Sequence, residues 1–230
     1  MVSSRTLPPE AYQSPHEQSV NDEGHNGRVL DHVDIRVSDR DASQRFYETV
    51  LPVLGRTERT IESTHIDWGD FSIVSDGQPV AKHLHIAFYA PSHELVDAFH
   101  RAGVEAGYAD DGAPGPRPQY GEDYYGAFLR DPDGNSVEAV HTSRDRKTGA
   151  IDHLWLRTRD VTAIRRFYVA TGHEIGVDEP GHVQIVTAGA SVSYVAGEPP
   201  TAARWKASTA SFVSAPNAMW TCSVGGSPAT

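Results

Sequence analysis

A single cysteine, Cys222, stands in a chain of 230 residues. That excludes an internal disulfide and any cysteine-rich zinc or iron-sulfur site, and makes a reducing compartment the default. Basic runs are missing too, and the formal net charge is -11. Partners recognised through clustered Lys and Arg, such as nucleic acid or an anionic membrane surface, are therefore not expected. Nowhere does the chain approach the roughly 18 uninterrupted apolar residues of a membrane span, and Met1 to Glu10 lack the apolar run of a signal peptide. A cytoplasmic protein is the expectation. GxSxG, P-loop, GxGxxG and CxxC patterns are all absent. A hydrolase nucleophile, a phosphate cradle, a dinucleotide fingerprint and a redox pair are left without support.

What is present begins after residue 28. Residues 1-28 are rich in Ser, Pro, Glu, His and Asn and bury too little apolar surface to offset the entropy of ordering, so they are expected to be disordered. From Val29 the pattern alternates. Val33, Ile35 and Val37 point one way along a strand, and His32, Asp34 and Arg36 point the other. Ser38 or Asp39 can cap a helix running to about Val53, with Gly55 as its stop. Three short strands are predicted at about 57-63, 65-69 and 71-75, which makes the unit βαβββ. A second such unit starts at Leu84 with LHIAFY, continues through a helix from about Ser92 to Gly103, and ends in two strands flanking Asp131-Pro132-Asp133-Gly134. In that turn Pro presets φ and Gly accepts the left-handed position. The same tetrapeptide is no calcium loop, which needs Gly at its sixth position and Glu at its twelfth.

The chain then repeats itself. IDHLWLRTRDVTAIRRFY, from Ile151, overlays LDHVDIRVSDRDASQRFY, from Leu30, with Asp152, His153, Arg157, Phe167 and Tyr168 in register. Two copies of one ancestral domain are the simplest reading. After SVSYVAGEPP the parallel stops, and residues 201-230 form an Ala- and Ser-rich tail expected to be poorly ordered. Phe46, Tyr47, Phe167 and Tyr168 recur at helical spacing, which core packing explains.

In combination, the HV strand, the D-x-x-x-S-x-x-FY helix start, the HIAF strand and the DPDGNSVEAV hairpin resemble the vicinal oxygen chelate superfamily, the group of glyoxalases, bleomycin-resistance proteins and extradiol dioxygenases. The resemblance covers 29-142 as a complete domain, with modules at about 29-80 and 82-142, and 150-200 as an incomplete second one. It implies an α+β fold in which paired βαβββ modules form an incomplete eight-stranded barrel-like sheet with helices outside. A third, unpaired βαβββ half domain would follow, leaving an open sheet edge that a homodimer formed through it could cover.

The resemblance also implies one divalent metal ion, Fe2+, Mn2+, Zn2+ or Ni2+, with His32, His85 and Glu138 as ligands. Two imidazoles and a carboxylate leave positions open for two neighbouring oxygens of a small substrate. Glyoxalase I carries a fourth ligand on the last strand of its first unit. Here that strand is FSIVS, offering Phe71, Ser72 and Ile73, so glyoxalase I chemistry is disfavoured; lyase, isomerase and ring-opening dioxygenase activities all stay open, with dioxygenase fitting a three-ligand site best. Tyr120 and Tyr124 can donate to a substrate oxyanion, and Glu122 can act as a base if it turns inward. His83 is assigned to the cavity wall or solvent. His153 repeats the first ligand, but no His and Glu follow it at the required positions, so a second metal site is not expected. The competing reading is a metal-free binding protein of the bleomycin-resistance type.

Overall fold

The computed structural model describes residues 30-144, 146-147, 149-187 and 189-198, and the backbone of 204-206. The segment expected to be disordered, and most of the tail, lie outside the described residues.

Three βαβββ units follow one another. The first is β1 (His32–Arg36), α1 (Arg40–Val50), a 3-10 turn (Pro52–Leu54), β2 (Thr60–Ile61), β3 (His65–Asp67) and β4 (Phe71–Val74). The second is β5 (His85–Tyr89), α2 (His93–Glu105), β6 (Asp110–Pro116), β7 (Tyr125–Arg130) and β8 (Ser136–His141). The third is β9 (Ile151–Thr158), α3 (Val161–Ala170), β10 (Glu174–Glu179), β11 (His182–Val186) and β12 (Ser191–Ala196), with β13 (Arg204–Lys206) after it. Each helix begins where a short polar side chain takes up a free amide: Asp39 accepts from Ala42, Ser92 from Leu95 and Asp160 from Ala163.

In every unit the last strand returns parallel to the first, β4 on β1, β8 on β5 and β12 on β9. The eight-stranded sheet runs β10-β11-β12-β9-β5-β8-β7-β6, and a five-stranded sheet runs β13-β1-β4-β3-β2. Paired modules do build an open eight-stranded sheet, and a third module does stand outside it. Its identity differs from the expectation, however. The second unit pairs with the third through antiparallel β5 and β9, and the first unit is the one left over. All three opening strands share one apolar alternation, so the pattern that folds each unit carries no instruction about which edges meet. The open edge expected on the third unit is thus occupied. The free edge of β1 pairs instead with β13, His32 facing Lys206 and Asp34 facing Arg204 along the backbone.

One core joins the units. Phe46, Tyr47 and Val50 of α1, Phe71 and Ile73 of β4, Phe88 of β5 and Phe99 of α2 are all buried in it. Phe71 of the first unit meets Phe88 of the second edge to face, with ring centres 5.3 Å apart. The Asp131–Asn135 turn braces the start of β5. Asp131 accepts from the backbone amides of Asp133 and Asn135 at 2.9 and 2.8 Å and from the Tyr47 hydroxyl at 3.2 Å. Asn135 accepts from the Leu84 amide and donates to the Ala81 carbonyl, each at 3.1 Å.

Candidate metal centre

Where β5 and β9 run antiparallel, Ile86 lies opposite Leu154 and both are buried. Side chains alternate along a strand, so His85, Ala87, His153 and Trp155 share the other face. Ala87 lies opposite His153 on one side and beside Glu138 of β8 on the other. A row Glu138, Ala87, His153 therefore crosses three strands with only a methyl group at its centre. The two long side chains lean over Ala87 and meet His85, one step along β5.

Three donor atoms converge there. His85 Nε2 lies 3.1 Å from His153 Nε2 and 3.0 Å from Glu138 Oε2, and His153 Nε2 lies 3.4 Å from the same oxygen. Donors bound about 2.1 Å from one ion, in tetrahedral or octahedral geometry, sit about 3.0–3.4 Å from their neighbours. The Glu138 side chain is 1% exposed, and its buried Oε2 faces only the two imidazole nitrogens, neither aligned as a regular hydrogen bond to it. Such an atom calls for a compensating charge. The donor set, two imidazoles and one carboxylate, fits a divalent transition metal. His85, at 21% exposure, forms the open side.

Further groups fix the three donors. The Tyr124 hydroxyl donates to Glu138 Oε1 at 2.7 Å, leaving Oε2 for the centre. Burial and the Glu138 charge push the Tyr124 phenol far above its ordinary value, so it remains a donor. His153 Nδ1 lies 2.8 Å from Asp152 Oδ1, and Asp152 Oδ2 lies 2.8 Å from Arg146 Nε. This chain of contacts turns His153 Nε2 toward Glu138. Burial disfavours charge on both partners. The hydrogen bonds that His153 donates to Asp152 and Glu138 nonetheless raise its pKa, and the imidazoles of His153 and His85 lower that of Glu138. Arg146 also lines a separate cleft of about 620 Å³ between the first and third units, beside Arg56, Trp68 and Ile151.

The model of the family described as the Glyoxalase/Bleomycin resistance protein/Dioxygenase superfamily matches residues 29–139. The chain belongs to this superfamily. A glyoxalase/bleomycin resistance protein from Albidiferax ferrireducens is 33% identical over 50% of this chain and 98% of its own, with a TM-score of 0.43. A glyoxalase I mutant from Zea mays is 18% identical over 74% of this chain and 69% of its own, with a TM-score of 0.54. At that identity the likeness is one of fold. No curated protein matches the chain. Among the described residues, no helix is long and apolar enough to cross a membrane.

In this superfamily member the expected ligand set is divided between the two sheets. His85 and Glu138 come together, but His32 does not join them. It lies on the five-stranded sheet, 2.9 Å from Asp34 Oδ1 and 3.2 Å from Ser72 Oγ, in a group with His65 and Asp67. His32 stands apart because the second unit pairs with the third, through β5 and β9, and not with the first as the resemblance implied. His153 thereby enters the site. Its signal was the overlay of IDH on LDH, which set it at the first-strand histidine position; its partners lie in the second unit, not its own. Of the other expected groups, Tyr124 reaches Glu138. Tyr120 is 56% exposed and packs edge-on against the Tyr124 ring at 5.2 Å. Glu122 is exposed in the turn before β7. The counterpart of Glu138 in the third unit is Ser193, beside Trp155 on β12, so a fourth carboxylate is again replaced by serine.

Proposed function

We propose that this superfamily member is a metal-dependent enzyme acting on a small substrate held through two neighbouring oxygens, with His85, Glu138 and His153 as the protein ligands. The observation that carries this reading is the convergence of two imidazole nitrogens and a buried carboxylate oxygen within 3.0–3.4 Å of one another. A divalent ion held there, Fe2+, Mn2+, Zn2+ or Ni2+, supplies Lewis acidity to a chelated pair of substrate oxygens. The chain's own groups do the rest. Glu138 contributes charge through Oε2 while Tyr124 holds Oε1. Asp152 and Arg146 fix the His153 ring, and the partly open His85 borders the approach for substrate. With serine at the position of a fourth carboxylate, a ring-opening dioxygenase fits better than a glyoxalase I.

A metal-free binding protein is favoured by a different observation. A protonated His153, 2.8 Å from Asp152 Oδ1 and 3.4 Å from Glu138 Oε2, would offset the charge of both carboxylates without an ion. Elemental analysis after anaerobic reconstitution with each of the four metals separates the two. The enzyme reading expects His85→Ala, Glu138→Gln and His153→Ala each to hold one equivalent less than the wild type, and the equivalent that depends on Glu138 to remain in His32→Ala. If these three variants hold as much metal as the wild type, the centre is not a metal site and the binding-protein reading stands.

A further inference from the structure

The first unit carries its own set of donors, on the face of the five-stranded sheet that bears His32. Asp34 of β1 and Asp67 of β3 flank Ser72 of β4 in a single row. Their side chains and the two histidines are partly exposed, between 19% and 32%. Asp67 Oδ2 lies 3.8 Å from His32 Nε2 and 3.7 Å from His65 Nε2, and the donor atoms of His32, His65 and Asp67 all lie within 4.8 Å of one another. Donors about 2.1 Å from one ion are separated by about 3.0 Å when adjacent and about 4.2 Å when opposite. A small rotation of the half-exposed His65 ring brings the three into that range.

Comparison with the second unit shows a rearrangement of charge, with Glu138 central on β8 and flanked by Ala87 of β5 and Phe128 of β7. In the first unit the small residue, Ser72, is central, and carboxylates occupy both flanks. His65, opposite Val74, takes the place held in the second unit by Gly126, opposite Val140. Arg36, next on that face of β1, is already bound to Asp76 at 2.9 Å and does not neutralise the pair of carboxylates. Two carboxylates beside two imidazoles, open to solvent, form a site for a cation. The imidazoles select borderline ions over magnesium or calcium.

We propose that His32, His65 and Asp67 form a second divalent-metal site, of the zinc, cobalt or nickel class, with Asp34, whose Oδ1 lies 2.9 Å from the same His32 Nε2, as a further carboxylate facing the ion. All its ligands come from one unit, so it is independent of the centre formed by His85, Glu138 and His153. An ion there ties β1 to β3 across β4.

The test is zinc stoichiometry of the full chain, measured by elemental analysis after equilibrium dialysis. The wild type is expected to bind two equivalents, His65→Ala and Asp67→Asn one each, and Glu138→Gln one. The double variant His65→Ala/Glu138→Gln is expected to bind none. Zinc should also protect His65 of the wild type from diethyl pyrocarbonate, read by peptide mass spectrometry, which needs no variant to fold. A stoichiometry that neither His65→Ala nor Asp67→Asn lowers, or His65 modified equally with and without zinc, overturns the proposal and leaves the central site untouched.

Discussion

At the scale of single residues, the centre depends on what is small as much as on what is charged. Ala87 leaves the space over which Glu138 and His153 meet. Gly126 does the same on the far side of Glu138, where an added Cβ would run into Glu138 Oε1 and the edge of the Tyr124 ring. The Glu138 side chain is buried and held by Tyr124, so it has little freedom to yield. Gly126→Ala is expected to turn the carboxylate away and weaken metal binding by about 10–100-fold, the usual effect of disturbing groups behind a ligand. Competition against a chelator of known affinity measures this. Unchanged affinity would show that the fixed position of Glu138 is unimportant.

At the scale of elements, the Asp131–Asn135 turn links β8 to the start of β5. Asn135 is fully buried, and its side chain bonds to the backbone at both Ala81 and Leu84, one residue before His85. Asn135→Ala leaves a buried amide and a buried carbonyl without partners, at a cost of about 1–3 kcal/mol for each unsatisfied group. Urea unfolding should show a lower midpoint with an unchanged slope. The same variant should bind metal more weakly at the central site, because the register that sets Glu138 beside Ala87 is anchored here. Equal stability of variant and wild type would rule out this bracing role. Composition alone marked this segment as a turn. That it also clamps the neighbouring strand requires Leu84 and Ala81 to be close in space, and a sequence pattern does not state that.

At the scale of the whole molecule, the question is which units share a sheet. The family match spans the first and second units, at residues 29–139, whereas the convergent donors come from the second and third. A chain ending at residue 145 tests the difference. It lacks β9 to β13, so β5 is left with an unpaired edge, and edges of that kind seek another strand. The shortened chain is expected to lose the metal equivalent that depends on Glu138 and to self-associate, as read by elemental analysis and light scattering. A monomer that keeps this equivalent would mean that β1 can close on β5, with His32 replacing His153, and the pairing described above would not be obligatory.

The sequence by itself determined the three βαβββ units, the caps of their helices and the faces their histidines occupy, because alternation, capping and turn chemistry act between residues close along the chain. His85 and Glu138 were named through the family resemblance; they meet because both belong to one unit, in which β8 returns beside β5. Only the tertiary structure decided that His153 meets His85 and Glu138 and that His32 stands with His65 and Asp67. Opening strands with the same alternation are interchangeable to any local rule, and the choice between β1 and β9 as neighbour of β5 is made by packing and chain connection across the entire fold.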